Sequence, residues 1–189
     1  MSSCLPWTKE MTEAEVDLTN LTVAENSFET TVIKLLRRFH LLQHERVETY
    51  NLFEEGFQAY LKGFPNYNFP LYRQLVHEIT ETFNKISKDI VAIKTRLADD
   101  HKQNNVSTLI GKIQDQEQKK LEITVQHQLS RQNELDHPGR LEHKEQSEDQ
   151  QTKLQDIKDK INELLEELKY ESEEIYGEDE EDTDILVER

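Results

Sequence analysis

The chain has 189 residues, 34% hydrophobic and 33% charged, with five Gly, four Pro and a net charge of −16. That composition suits helical bundles and coiled coils and leaves little material for the turns of a sheet protein. The single cysteine, Cys4, excludes an internal disulfide framework, and no apolar run reaches the roughly 20 residues of a membrane span. The start of the chain lacks the basic region and apolar core of a signal peptide, so an intracellular protein without membrane contact is expected.

The negative charge sits at the two ends. Residues 163–189 carry 13 acids against Lys169 and Arg189, and residues 1–26 carry five against Lys9. Residues 27–162 are left with 21 acids and 20 bases, so the middle can still present a local basic face.

In chain order, residues 1–25 hold scattered apolar positions such as Trp7, Leu18 and Leu21 without sustained period and read as a disordered N-terminal arm. Asn26 with Glu29 supplies N-capping chemistry, which places the start of a first helix there. Its apolar residues Phe28, Val32, Leu35, Phe39, Leu42, Val47, Tyr50, Phe53, Phe57 and Tyr60 recur mostly three or four apart. At about 1.5 Å per residue this is a rod on the order of 50 Å, which requires partner helices. Gly63 is expected to close it in a left-handed conformation, with Pro65 preventing continuation. The aromatic residues Phe64, Tyr67 and Phe69 are expected to fold over the end of the bundle.

Pro70 suits the first turn of a second helix, over about 70–98. Tyr72, Val76, Ile79, Phe83, Ile86, Ile90, Ile93 and Leu97 form an unbroken heptad seam, antiparallel to the first helix because the connection is short. Ser107 is expected to cap a third helix over roughly 107–135, with Leu109, Ile113, Leu121, Val125 and Leu129 on its apolar side and Ile110 and Ile123 beside them. Glu117 and Lys120 interrupt that side, which predicts shallower burial. The expected fold is all-α, an antiparallel three-helix bundle over 26–136 followed by a C-terminal amphipathic or coiled-coil helix within 137–176.

His137, Pro138 and Gly139 separate the two parts. The last helix has little to bury before Leu154, then a strict seam of Leu154, Ile157, Ile161, Leu164 and Leu168, with Ile175 one heptad on. That seam either docks on the third helix or pairs with a partner, self-association included. Residues 177–189 form an acidic tail expected to be disordered. Ile185, Leu186 and Val187 beside acid are a candidate linear motif that adds a strand to a partner's sheet edge, resembling a SUMO-interacting motif.

The candidate contact residues lie on the first helix. Lys34, Arg37 and Arg38 occupy neighbouring rows, with His40, His44 and Arg46 further along, an arrangement able to meet a protein partner or phosphates. The bland alternative is a solvated face making weak pairs, with Arg46 turned against the seam and paired with a carboxylate. His40 and His44 at i and i+4 have the spacing of two zinc ligands, but nothing in the sequence supplies a third, so no metal or other cofactor is expected. A nucleotide site needs a glycine-rich turn and a nucleophile site needs a rigid elbow or a buried acid–base pair. No such pattern is present, so no catalytic residue is assigned and no enzymatic activity is expected.

The run from Leu35 to Tyr50, containing Arg38-Phe39-His40, Leu42-Gln43, Glu45-Arg46 and Tyr50, continues through Phe53, Phe57 and Tyr60 to Phe69-Pro70 and Tyr72. It resembles the "required for excision B" domain family, a small eukaryotic family associated with DNA repair, over about residues 30–130. The resemblance implies a role linked to excision repair and brings no catalytic motif, and a nuclear or nucleocytoplasmic location is expected. The expected function is a non-enzymatic helical adaptor in DNA repair acting through protein–protein contacts. The alternatives are a coiled-coil structural subunit of an unrelated complex, or a weak nucleic-acid binder using the basic cluster of the first helix.

Overall fold

The computed structural model describes the backbone of residues 13–176 and the side chains of 31–173. Four helices account for it: α1 (Glu13–Leu61), α2 (Phe69–Asp99), α3 (Asn104–Asp136) and α4 (Leu141–Tyr176), with no strand among the described residues. The fold is all-α. The helices form a ring in which α1 lies beside α2, α2 beside α3, α3 beside α4, and α4 returns to α1. Cross-contacts set the directions. Arg38 meets Asp89 and Tyr50 meets Phe83, so α2 runs against α1, while Ser107 reaches the Lys94 carbonyl and Asn105 reaches Glu171, so α3 and α4 each reverse again.

The α1 helix begins 13 residues earlier than the capping chemistry at Asn26 predicts. A capping residue starts a helix only when the residues before it do not propagate one, and 13–25 contain neither Gly nor Pro. At the other end Gly63 does not take the left-handed conformation; its amide bonds the Tyr60 carbonyl at 3.0 Å in an ordinary turn. The positive-φ glycine is Gly139, at φ +102 in the α3–α4 connection. Asn68 caps α2 by accepting from the Leu71 amide, with Pro70 in the first turn. Ser107 does not cap α3. The helix starts at Asn104, and the Ser107 hydroxyl donates to the Lys94 carbonyl across the α2–α3 interface at 3.1 Å.

The α2 seam is buried from Ile79 to Leu97, with Tyr72 and Val76 half-buried at its start. On α1 the buried side is Val32, Leu35, Leu36, Phe39, Leu42, Arg46, Phe53 and Phe57, while Val47 is exposed. On α3 Val125 and Leu129 face solvent, and Glu117, Lys120 and Gln128 lie inside. The bundle has four members rather than three: Leu164 and Leu168 of α4 enter the same apolar cluster as Leu36, Ile90 and Ile110. Three helices with narrow stripes leave this end open, and the α4 seam closes it. The first half of α4 packs on α3 through small polar side chains, Ser130 and Ser147, which allow close approach with little apolar area. Of the aromatic connection, Tyr67 stacks on Tyr60 at 4.8 Å, whereas Phe64 and Phe69 stay largely exposed.

Candidate functional site

Apolar packing in the bundle is split in two. One cluster joins all four helices from Val32 to Leu168, and the other gathers Phe53, Ile79 and Phe83 with Tyr50, Tyr72 and Leu121. Between them lies a polar layer. Arg46, 2% exposed, donates to Gln43 Oε1 at 3.1 Å, to Gln114 Oε1 at 2.7 Å and to Ser87 Oγ at 3.5 Å, tying α1 to α2 and α3. Its direct partners are thus amides and a hydroxyl, not the expected carboxylate. One turn further along α3, Lys120 Nζ sits 2.8–2.9 Å from the Glu117 carboxylate oxygens and 4.2 Å from the centre of the Tyr50 ring. The Tyr50 hydroxyl donates to the Glu117 carbonyl at 3.3 Å.

Burial pulls both Arg46 and Lys120 below their ordinary values, and the Glu117 carboxylate pushes both back. Burial, then Glu117, drives Tyr50 far above its ordinary value, so it remains a neutral donor. Glu117 is therefore the counter-charge on which two buried cations depend. Such pairs add little to stability compared with apolar packing, yet removing one partner is costly and their geometry discriminates among registers.

The sequence held a signal for this layer. From Phe39 and Leu42, a 3,4 spacing lands on Arg46, whereas Val47 needs a step of five; from Ile113 the same rule lands on Glu117 and Lys120. An oppositely charged pair at seam positions marks an internal ion pair as readily as an interruption.

The residues singled out on α1 are all exposed: Lys34, Arg37, Arg38, His40 and His44. Arg38 reaches Asp89 of α2 at 3.2 Å with both side chains about half exposed, and His44 pairs with Glu48 of its own helix at 3.4 Å. His40 packs against the Phe39 ring, and partial burial lowers its pKa. Lys34 and Arg37 form no ion pair among the described residues. No three His, Cys, Asp or Glu side chains come together there at metal-holding distance. Ile185, Leu186 and Val187 lie outside the described residues, as do Cys4 and Trp7.

At the opposite end, Tyr60 stacks on Tyr72 at 4.5 Å, and the Tyr72 hydroxyl donates to Gln128 Oε1 at 2.7 Å. Arg131 lies 5.0 Å over Phe57 while pairing with Glu54 at 2.7 Å. Beside them is a groove of about 360 Å³ lined by Ala59, Tyr60, Leu71, Tyr72 and Leu75. Leu71 is 63% exposed at its mouth.

The family model described as DNA repair REX1-B matches residues 34–131, from the exposed lysine of α1 to the Arg131 that covers Phe57. The chain belongs to the DNA repair REX1-B family. A "Required for excision 1-B domain-containing protein" of Bos taurus is 30% identical over 142 residues, covering 74% of this chain and 76% of that protein. The protein of the same description from Mus musculus is 28% identical over 144 residues, covering 75% and 82%. No solved structure matches. The REX1-B match contains the basic cluster and the whole buried layer, Arg46, Ser87, Gln114, Glu117 and Lys120. The helix that completes the core, α4, begins ten residues after the match ends.

Proposed function

We propose that this chain is a non-enzymatic helical adaptor serving excision repair of DNA in the nucleus, acting through protein contacts on its outer helical faces. The observation that carries this reading is the placement of charge. Arg46 is held by Gln114, and Glu117, Lys120 and Tyr50 are engaged with one another, all inside the bundle, whereas Lys34 and Arg37 on the outside of α1 form no ion pair among the described residues. An internal pair of this kind orders helices, and exposed unpaired cations steer and position partners. Membership of a DNA repair family supplies the process. Proximity labelling with the chain in cells, with and without DNA damage, is expected to enrich excision-repair proteins after damage. Labelling that contains no repair factor in either condition overturns the reading.

The cations Lys34, Arg37 and Arg38, with Asp89 as the one ion-pair partner among the described residues, favour a second reading as a weak nucleic-acid contact. Its mark is duplex binding that falls steeply with salt and is lost in Arg37→Ala/Arg38→Ala. Absence of binding at low salt removes it.

A further inference from the structure

The groove between α1 and α2 is bordered by two regular rows of residues. On α1 Leu52, Gly56, Ala59 and Gly63 follow one another at steps of 4, 3 and 4, and on α2 Leu71, Leu75, Glu78 and Thr82 do the same. Such steps keep positions on one side of a helix. Gly56, Ala59 and Gly63 line the groove of about 360 Å³ from one side, and Leu71, Leu75 and Glu78 from the other. Its floor lies low because Gly56 has no side chain: a Cβ there would overlap Leu75 Cδ2. Leu52 and Leu71 are each more than half exposed, and Phe64 and Phe69 add apolar surface at the loop end. The described residues contain no strand and so offer no sheet edge. Two rows at helical spacing fit an incoming helix, whose anchors at i, i+3, i+4 and i+7 enter a groove of this kind.

Charge selects the occupant. Going back from Leu52, the α1 row continues through Glu48, Glu45 and Leu41 at steps of 4, 3 and 4, and Glu55 lies four residues before Ala59. Glu48 meets His44 at 3.4 Å, and Glu78 accepts from the neutral Gln74 amide at 3.1 Å. The cations of these faces, Lys62 and Lys85, stand at the two ends of the stretch, one just before Gly63 and the other three residues past Thr82. Between them the ionisable groups are Glu45, Glu48, Glu55 and Glu78, so the middle of the groove is acidic. Another hollow, between α3 and α4, is lined by Lys119 and Lys153 as well as Glu122 and Asp156 and selects neither sign. A second copy of this chain seated in the groove would set these glutamates against one another, which is unfavourable. We infer that the α1–α2 groove receives an amphipathic helix of a partner protein, with leucine or aromatic anchors at helical spacing and Lys or Arg flanking them. The anchors supply affinity in the groove, and the glutamates steer and orient the basic side chains. This surface is opposite in sign to the Lys34 and Arg37 face, so α1 serves two kinds of partner. The inference goes beyond the repair reading and depends on the groove alone.

The probe is a fluorescein-labelled peptide of about 18 residues, leucines at steps of three and four with lysines between them, titrated into the full chain. Anisotropy reads its affinity and amide resonances read its place. Saturable binding that shifts Leu52, Ala59, Leu71 and Glu78 is expected. Ala59→Trp, which fills the groove from an exposed position, and Glu55→Lys/Glu78→Lys should each weaken binding by about tenfold or more. Glu145→Lys/Glu166→Lys makes the same charge change at exposed positions of α4 and should leave affinity within about twofold. All three variants alter exposed side chains only, and their helicity verifies the fold. The inference is overturned by absence of saturable binding, by shifts centred elsewhere, or by an equal loss in the α4 variant. Equal affinity for the same peptide with Glu in place of Lys, or with its leucines scrambled, overturns it as well. So does a dimer of the chain alone, seen by light scattering, that Ala59→Trp dissociates, which assigns the groove to a second copy.

Discussion

Glu117 holds the most leverage of any single side chain in the bundle. With its carboxylate gone, Lys120 and Arg46 remain buried with no anion beside them, and breaking such a pair costs about 3–5 kcal/mol. Urea unfolding of Glu117→Ala should show that loss with an unchanged slope. Replacing Glu117 and Lys120 together by Leu and Met should recover most of it. Tyr72 sets an alkaline limit. Burial, with Tyr60 and Glu54 nearby and Arg131 opposing, pushes its hydroxyl from 10.0 up to about 12. The unfolded chain therefore releases this proton first, so the Tyr72 contribution is intact below about pH 10 and declines as pH rises towards about 12. Stability measured across that window should fall less steeply in Tyr72→Phe. The place of Arg46 against the seam is readable from its spacing, but its partners are not: Gln114 is 68 residues away, a pairing no local period encodes.

At the scale of elements, α2 and α3 respond differently to change. The α2 seam is apolar throughout its buried length, so Ile86→Asp places an unpaired charge where exposure is 0% and should cost several kcal/mol, about 3 or more, by chemical denaturation. On α3, Gly111 is a mid-helix glycine whose added Cβ meets only the flexible end of Lys94, Nζ at 3.2 Å and Cε at 3.3 Å. The lysine can move aside, so Gly111→Ala should raise stability by about 0.5–1 kcal/mol through helix propensity. Both helices were legible from their 3,4 spacing, α2 to within a residue of each end. The start of α3 is not legible locally, because Ser107 has the right chemistry for a cap and uses it on a neighbouring helix. Only the packing reveals that competing acceptor.

For the whole molecule the decisive feature is that α4 belongs to the core. Leu164→Ala should therefore destabilise the entire chain by about 2–5 kcal/mol in one cooperative transition, as a core truncation does and an appendage does not. A separate low-stability transition for α4, seen as early loss of part of the helical signal, contradicts this arrangement. The polar layer adds a second global property. Because it lies between two apolar clusters, sliding any helix by a turn would bring Arg46 or Glu117 against aliphatic side chains, which excludes neighbouring registers.

The sequence alone determined that this chain is four long helices with apolar stripes, since the 3.6-residue period, the Pro and Gly punctuation and the scarcity of turn residues are local properties. It also marked Lys34, Arg37 and Arg38 as an outward row. Tertiary structure decided the rest: that α4 closes the bundle, that Glu117 and Lys120 are internal, and that Val47 and Leu129 are not. A stripe specifies which side a helix buries, but its partner, and whether a charge on that side finds a counter-charge, depend on side chains brought together from distant parts of the chain.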